Sequence, residues 1–170
     1  MRIFLVGFMG SGKTKIGKLM AQHLGYSFVD MDQQLEARFG MSVSRIFSEL
    51  GEATFRAAER EWIDHLAQSE QLIIATGGGT PCHTNNMSRM MELGKTVYLK
   101  VSELALYTRL SEPRRKAKRP LIAELPDDEL KEYIYKTIAA REPFYQQAHI
   151  EVNGSLPAEE VVSDIMRKLY

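Results

Sequence analysis

Eight residues near the start of the chain, Gly7-Phe8-Met9-Gly10-Ser11-Gly12-Lys13-Thr14, restrict what it can fold into more than any other stretch. They fit the pattern G-x-x-x-x-G-K-[ST], with an apolar run before them (Arg2–Val6) and an amphipathic pattern after them. Glycines in such a loop let the backbone curl so that its N–H groups converge on phosphate oxygens. The helix that follows points the positive end of its dipole at the same place. Lys13 adds a charge for the β- and γ-phosphates, and the Thr14 hydroxyl can ligate Mg²⁺. Gly10, Ser11, Gly12, Lys13 and Thr14 are therefore the expected contacts to a nucleoside triphosphate.

Beyond the loop, short apolar runs alternate with helical patterns. Candidate strands are Arg2–Val6, Ser27–Val29, Leu72–Ala75, Thr96–Val101 and His149–Val152. Several are apolar without alternation, as strands covered on both faces are. Helical stripes run through Ile16, Leu19, Met20 and Leu24, ending at Gly25, and through Val43, Ile46, Phe47 and Leu50. Others join Phe55, Ala58, Trp62, Ile63 and Leu66, and later Val161, Val162, Ile165, Met166 and Leu169. This order implies one α/β domain over residues 1–170, a parallel sheet with helices on both faces. Two segments break the beat. A helical insertion covers about 31–62, and a proline-punctuated cationic segment at about 112–123 reads as a mobile lid.

Composition excludes several classes. Lys plus Arg (22) equals Asp plus Glu (22), so the basic excess of a general nucleic-acid binder is missing. No apolar stretch nears the roughly 20 residues needed to span a bilayer, and the N-terminal apolar run lacks a cleavage pattern. The single cysteine, Cys82, cannot form an internal disulfide, which fits a reducing cytoplasm. Cys82, His83 and His65 have no metal-ligand spacing and read as structural.

Asp30 and Asp32 follow the apolar Phe28-Val29, at the end of a strand where open α/β sheets place ligands. In an extended chain their spacing aims both side chains to one side. One could serve a metal and the other a hydroxyl, although an Asp capping the next helix is the plainer reading of either alone. The strand Leu72–Ala75 does not end in the acid usual beside such phosphate loops, which leaves Asp30 as the supplier of a metal-positioning carboxylate. Arg56, with Glu59 three residues on, reads from spacing as a solvated charged face. Arg141 reads as a helix-terminal cation. Gly77-Gly78-Gly79 directly after Leu72–Thr76 marks a turn that something approaches closely. Arg114-Arg115-Lys116-Ala117-Lys118-Arg119 would bring cations to a phosphoryl group.

Taken in order, these elements resemble the shikimate kinase family over nearly the whole chain. The matching pieces are Gly7–Thr14, Phe28-Val29-Asp30-Met31-Asp32, Phe55-Arg56 with Glu59, Thr76-Gly77-Gly78-Gly79, Arg119-Pro120-Leu121, and Arg141 with Pro143 and Tyr145. The resemblance implies a three-layer P-loop kinase fold with a five-stranded parallel sheet in order 2-3-1-4-5. It implies transfer of the γ-phosphate of ATP to the 3-hydroxyl of shikimate with one Mg²⁺ ion, in a cytoplasmic, monomeric enzyme without nucleic-acid or membrane partners. By the same resemblance, Asp32 meets the acceptor hydroxyls as candidate base, and Arg56, Gly78 and Arg141 bind the acceptor, with Glu59 orienting Arg56. Lys13 and Arg119 meet the transferring phosphate, Thr14 and (through water) Asp30 serve the metal, and Arg109 and Ser155 lie by the adenine, where the Asn153–Pro157 turn completes the pocket. A kinase of another hydroxy acid such as gluconate, or a non-catalytic nucleotide switch, are the alternatives.

Overall fold

The structure, a computed structural model, describes residues 1–170. The chain runs β1 (Arg2–Val6), α1 (Lys13–Leu24), β2 (Ser27–Asp30), α2 (Met31–Phe39), α3 (Val43–Leu50), α4 (Glu52–His65), β3 (Leu72–Ala75), α5 (Asn86–Leu93) and β4 (Lys95–Lys100). It continues with α6 (Glu103–Ser111), α7 (Pro113–Lys116), α8 (Pro120–Ala123), α9 (Asp127–Tyr145), β5 (Ile150–Asn153) and α10 (Ala158–Leu169). The five strands form one sheet in order β2-β3-β1-β4-β5, and every neighbouring pair is parallel.

Strand alternation sends successive side chains to opposite faces, so a strand covered twice must be apolar at every position. In β1, Phe4 and Val6 face one layer with Leu35, Ile46, Phe55 and Ile63 from α2, α3 and α4. Ile3 and Leu5 face the other, against Ile16 and Met20 of α1 and Val161, Val162 and Ile165 of α10. Burial of each such side chain contributes about 1.5–3 kcal/mol. The order of elements thus follows from the apolar pattern.

α1 stops where expected: Gly25 takes φ 66° and its N–H returns to Ala21 O, a left-handed end that glycine adopts without steric cost. The stripe at α3 does not behave as expected. Only Ile46 is fully buried, Leu50 is 43% exposed, and Val43 and Phe47, half-buried against the edge of the core, also line a cavity. The segment at 112–123 is more ordered than an irregular loop. It holds α7 and α8, each opened by a proline whose missing N–H costs nothing there. Ile122, fully buried with Leu110, Leu130 and Ile134, pins α8 down, while its neighbour Leu121 stays 67% exposed. Helix α9 runs on past Arg141 through Pro143 to Tyr145, so Arg141 is not a terminal residue. No helix is long and apolar enough to cross a membrane.

Candidate active site

The site lies along the carboxyl ends of the strands and consists of two adjoining cavities. The first, of about 610 Å³, is built on the loop between β1 and α1. Its glycines take backbone conformations that side chains resist: Gly10 has φ 78° and Gly12 φ 98°. Lys13 Nζ donates to Gly7 O at 2.7 Å and Phe8 O at 3.0 Å. Burial lowers its pKa to about 8, partly opposed by the charges of Asp32 and Asp30. Ser11 Oγ is buried without a protein partner, the condition of a donor that a phosphate oxygen would satisfy. The lining also includes Lys15, Arg109, Arg115, Lys118 and Arg119, and no acid.

Arg109 stands between the phosphate loop and the turn after β5, with Nη1 donating to Gly10 O at 3.1 Å and Nη2 to Gly154 O at 2.9 Å. The turn contributes Gly154, Leu156 and Pro157 to the cavity wall. Ser155, expected there, is turned away. Its Oγ accepts from Ser102 N at 3.4 Å, and its own N–H is held by Asn153 Oδ1. The turn needs that side chain to close against α6, so Leu156 and Pro157 face the cavity instead.

The second cavity, of about 420 Å³, is lined by Asp32, Glu36, Phe47, Arg56, Glu59, Gly77–Gly79, Leu121 and Arg141 among others. Lys118 and Arg119 line both cavities, so the α7–α8 segment forms the partition between them. Arg119 is braced from behind by its own turn, Nη1 donating to Arg115 O at 2.7 Å.

Asp30 and Asp32 reach the site, but not by the route their spacing suggested. Asp30 ends β2 and caps α2, and Asp32 lies within the first turn of α2, so the chain between them is not extended. Asp30 also does more than cap. Its Oδ1 takes only a long 3.4 Å contact from Gln33 N, while Oδ2 accepts from Thr14 Oγ1 at 2.9 Å. Asp32 sits deeper, and burial together with the charges of Asp30 and Glu59 raises its pKa to about 6, against the pull of Lys13.

The solvated-face reading of Arg56 fails. Its side chain is only 13% exposed, and Nη1 donates at 2.7 Å to Glu59, which is completely buried. The guanidinium also lies 5.5 Å from the Phe47 ring centre and 5.4 Å from that of Phe55. Arg60, one helical turn along, leaves the site altogether and binds Asp64 at 3.0 Å. Arg141 lies 5.9 Å from the Phe8 ring centre and lines the same cavity as Arg56.

The three glycines explain how these groups come together. A Cβ on Gly77 would stand 2.8 Å from Asp32 Oδ1, one on Gly78 would stand 3.2 Å from Arg141 Nη1, and one on Gly79 would stand 2.8 Å from Arg56 Nη2. Each glycine therefore makes room for a different charged side chain of the protein. Tyr145, fully buried, fixes the middle of this segment by donating to Gly78 O at 2.6 Å. The sequence attached no role to Tyr145, which entered only as a matching position of the family resemblance, beside Arg141 and Pro143. It likewise assigned nothing individually to Lys118 or Arg115, because the order of a basic run does not say which members turn inward.

A parallel sheet in order 2-3-1-4-5, a glycine-lysine phosphate loop on its first strand and a second, mixed-charge cavity across a cationic partition define a P-loop small-molecule kinase domain. A family model described as shikimate kinase matches residues 9–170. The chain belongs to the shikimate kinase family. A shikimate kinase of Parabacteroides distasonis is 42% identical over 169 residues, which is 99% of this chain and 96% of that protein. The crystal structure of shikimate kinase from Bacteroides thetaiotaomicron superposes with a TM-score of 0.94 at 40% identity, covering 99% of this chain and 98% of that one. Shikimate kinase from Acinetobacter baumannii in complex with shikimate gives a TM-score of 0.87 at 28% identity, over 99% and 92% of the two chains.

Proposed function

We propose that this chain transfers the γ-phosphate of ATP to the 3-hydroxyl of shikimate. The observation that carries the reading is the pairing of Asp32 with two arginines, Arg56 and Arg141, around one cavity that adjoins the phosphate loop. Two guanidinium groups at one side suit a carboxylate, which they can grip with planar, charge-assisted hydrogen bonds. Gly78 offers backbone beside them. Asp32, its pKa raised to about 6 by burial and neighbouring carboxylates, suits the task of orienting or accepting the proton of an attacking hydroxyl.

On the nucleotide side, the loop N–H groups, Ser11 and Lys13 hold the phosphates, and Arg109 with the turn at Gly154–Pro157 flanks the base. Arg119, on the partition and lining both cavities, is placed to meet the transferring phosphoryl group together with Lys13. Charge spread over the equatorial oxygens in the transition state is thus met by fixed cations and N–H dipoles. Thr14 Oγ1 and Asp30 Oδ2 provide hard oxygen donors, and no cluster of three acidic or histidine ligands forms an all-protein cage. That donor set fits Mg²⁺, which retains waters and phosphate oxygens. Thr14 and, through water, Asp30 would hold the ion, which when bound would supply positive charge to offset that of the phosphates. Both cavities are complete within one chain, which is compatible with a monomer. The one cysteine, Cys82, is a free thiol, which accords with a reducing cytoplasm.

The test is a coupled ADP-release assay with ATP and Mg²⁺, run with shikimate, with gluconate and with no acceptor. Shikimate should stimulate turnover and gluconate should not. Equal stimulation by both, or none by shikimate, overturns the acceptor assignment.

A further inference from the structure

Arg56 is held by Glu59, and Glu59 is in turn held by a side chain to which the proposed chemistry gives no role. Its two oxygens are satisfied separately: Oε2 by Arg56 Nη1 at 2.7 Å, and Oε1 by Thr80 Oγ1 at 2.5 Å. Glu59 and Thr80 are both fully buried. The second contact is as short as charge-assisted O–H···O⁻ bonds are. Thr80 follows directly on Gly77–Gly79 and begins the short 3₁₀ turn Thr80–Cys82.

Thr80 is itself anchored. Its carbonyl accepts from Asn86 Nδ2 at 3.1 Å, and Asn86 Oδ1 accepts from Thr84 Oγ1 at 3.0 Å. The carbonyl of Thr84 accepts from Arg60 Nη1 at 3.0 Å, which returns the chain of bonds to α4. Thr84 and Asn85 hold φ of 50° and 55°; asparagine tolerates this left-handed conformation, but the β-branched Thr84 adopts it only where its surroundings impose it. The segment after the glycines is thus an arch fastened at both ends, and it presents one hydroxyl to one buried carboxylate.

We propose that Thr80 is a positioning residue: by holding the second oxygen of Glu59 it fixes the carboxylate plane, and so the direction in which Arg56 faces the acceptor. A glutamate bound through one oxygen can rotate about its terminal bond. Held through both, from a helix on one side and a braced turn on the other, it cannot. Loss of the hydroxyl would leave a buried carboxylate oxygen unpaired, and the cheapest relief is for Glu59 to shift, carrying Arg56 with it. This deepens the acceptor reading and rests on it.

The experiment compares Thr80→Val, which removes the hydroxyl at nearly constant shape, with Thr80→Ser, which keeps the hydroxyl and removes the methyl. KM and kcat are measured for acceptor and ATP, with the melting temperature of each variant. Thr80→Val should raise the acceptor KM about tenfold, the cost of losing one hydrogen bond to a charged group. Its KM for ATP should stay within about twofold, and Thr80→Ser should restore the acceptor KM to near wild type. A residue that only fills space would respond in the opposite order, Ser worse than Val, and through stability. An unchanged acceptor KM in Thr80→Val, or equal impairment in Thr80→Ser, overturns the proposal. Should Thr80→Val not fold, Thr80→Ala set against Thr80→Ser carries the same comparison. Failure of the acceptor reading is visible separately, as wild-type protein that does not respond to shikimate. The split is then read with whichever carboxylate acceptor of the panel turns over.

Discussion

The two cavities are made in different ways. The nucleotide cavity takes Gly10 through Ile16 from one unbroken stretch, and its charged lining is entirely cationic. The acceptor cavity draws Asp32 from α2, Arg56 and Glu59 from α4, the three glycines from the end of β3, and Arg141 from α9. Its charges are of both signs, and they are spaced by hydrogen bonds between side chains and by the missing Cβ atoms of glycine. A phosphate cradle needs many converging N–H groups, which one loop can supply locally. A cyclic acid with several hydroxyls needs different groups at different angles, which no single loop can supply.

If that contrast is right, damage to one cavity should leave the other's substrate constant alone. The largest effect is expected at Asp32. Asp32→Asn should lower kcat by about 10² to 10⁴, the usual contribution of a general acid–base group, with the KM for ATP little changed. A pH–rate profile sharpens this. Because Asp32 must be ionised to take a proton and its pKa is raised to about 6, wild-type rate should fall as pH drops below about 6. The asparagine variant should lack that limb, and an acid limb that survives in it assigns the titration elsewhere.

On the nucleotide side, Lys13 must be protonated to meet phosphate, and its pKa in the free protein is lowered to about 8. So kcat/KM for ATP should fall about tenfold per pH unit above about 8, while kcat at saturating ATP falls less, since bound phosphate favours the charged form. Initial-rate measurements across pH 7 to about 10 decide it, and a flat kcat/KM would break the assignment. A smaller effect is expected from Gly79→Ala. The new Cβ would stand 2.8 Å from Arg56 Nη2 and force the guanidinium to move by roughly half an ångström or more, raising the acceptor KM about fivefold to tenfold and sparing ATP. Smallest of all, Ser155→Ala should change the KM for ATP by less than about twofold, because that hydroxyl faces Ser102 and not the cavity. A larger change would return Ser155 to the binding wall.

The fold was open to reading from the chain alone to a considerable depth. Unbroken apolar runs at Ile3–Val6 and Leu72–Ala75, too short for helices and set between turn signals, fit strands buried on both faces, and the sheet order agrees with the family resemblance. Arg56 shows where such reading stops. Its partner Glu59 is visible at i+3, but a surface pair and a buried clamp have the same spacing, and only the packing of α4 against β3's glycine turn separates them. Asp32 shows the reverse: it does line the cavity, but the extended-chain argument that pointed to it is replaced by the first turn of α2. Tyr145 and Thr80 carried no local signal of their contacts, since Gly78 lies 67 residues from the first and Glu59 lies 21 from the second.

What the sequence by itself determined is the phosphate loop, its flanking strand and helix, and the alternating order that makes a parallel sheet. All of these follow from backbone sterics and apolar periodicity, which act over a few neighbouring residues. The tertiary structure alone decided which of the many arginines, acids and hydroxyls are dry and aimed at one another. Burial and direction are properties of whole packed layers, and they reach a side chain through elements that are distant along the chain.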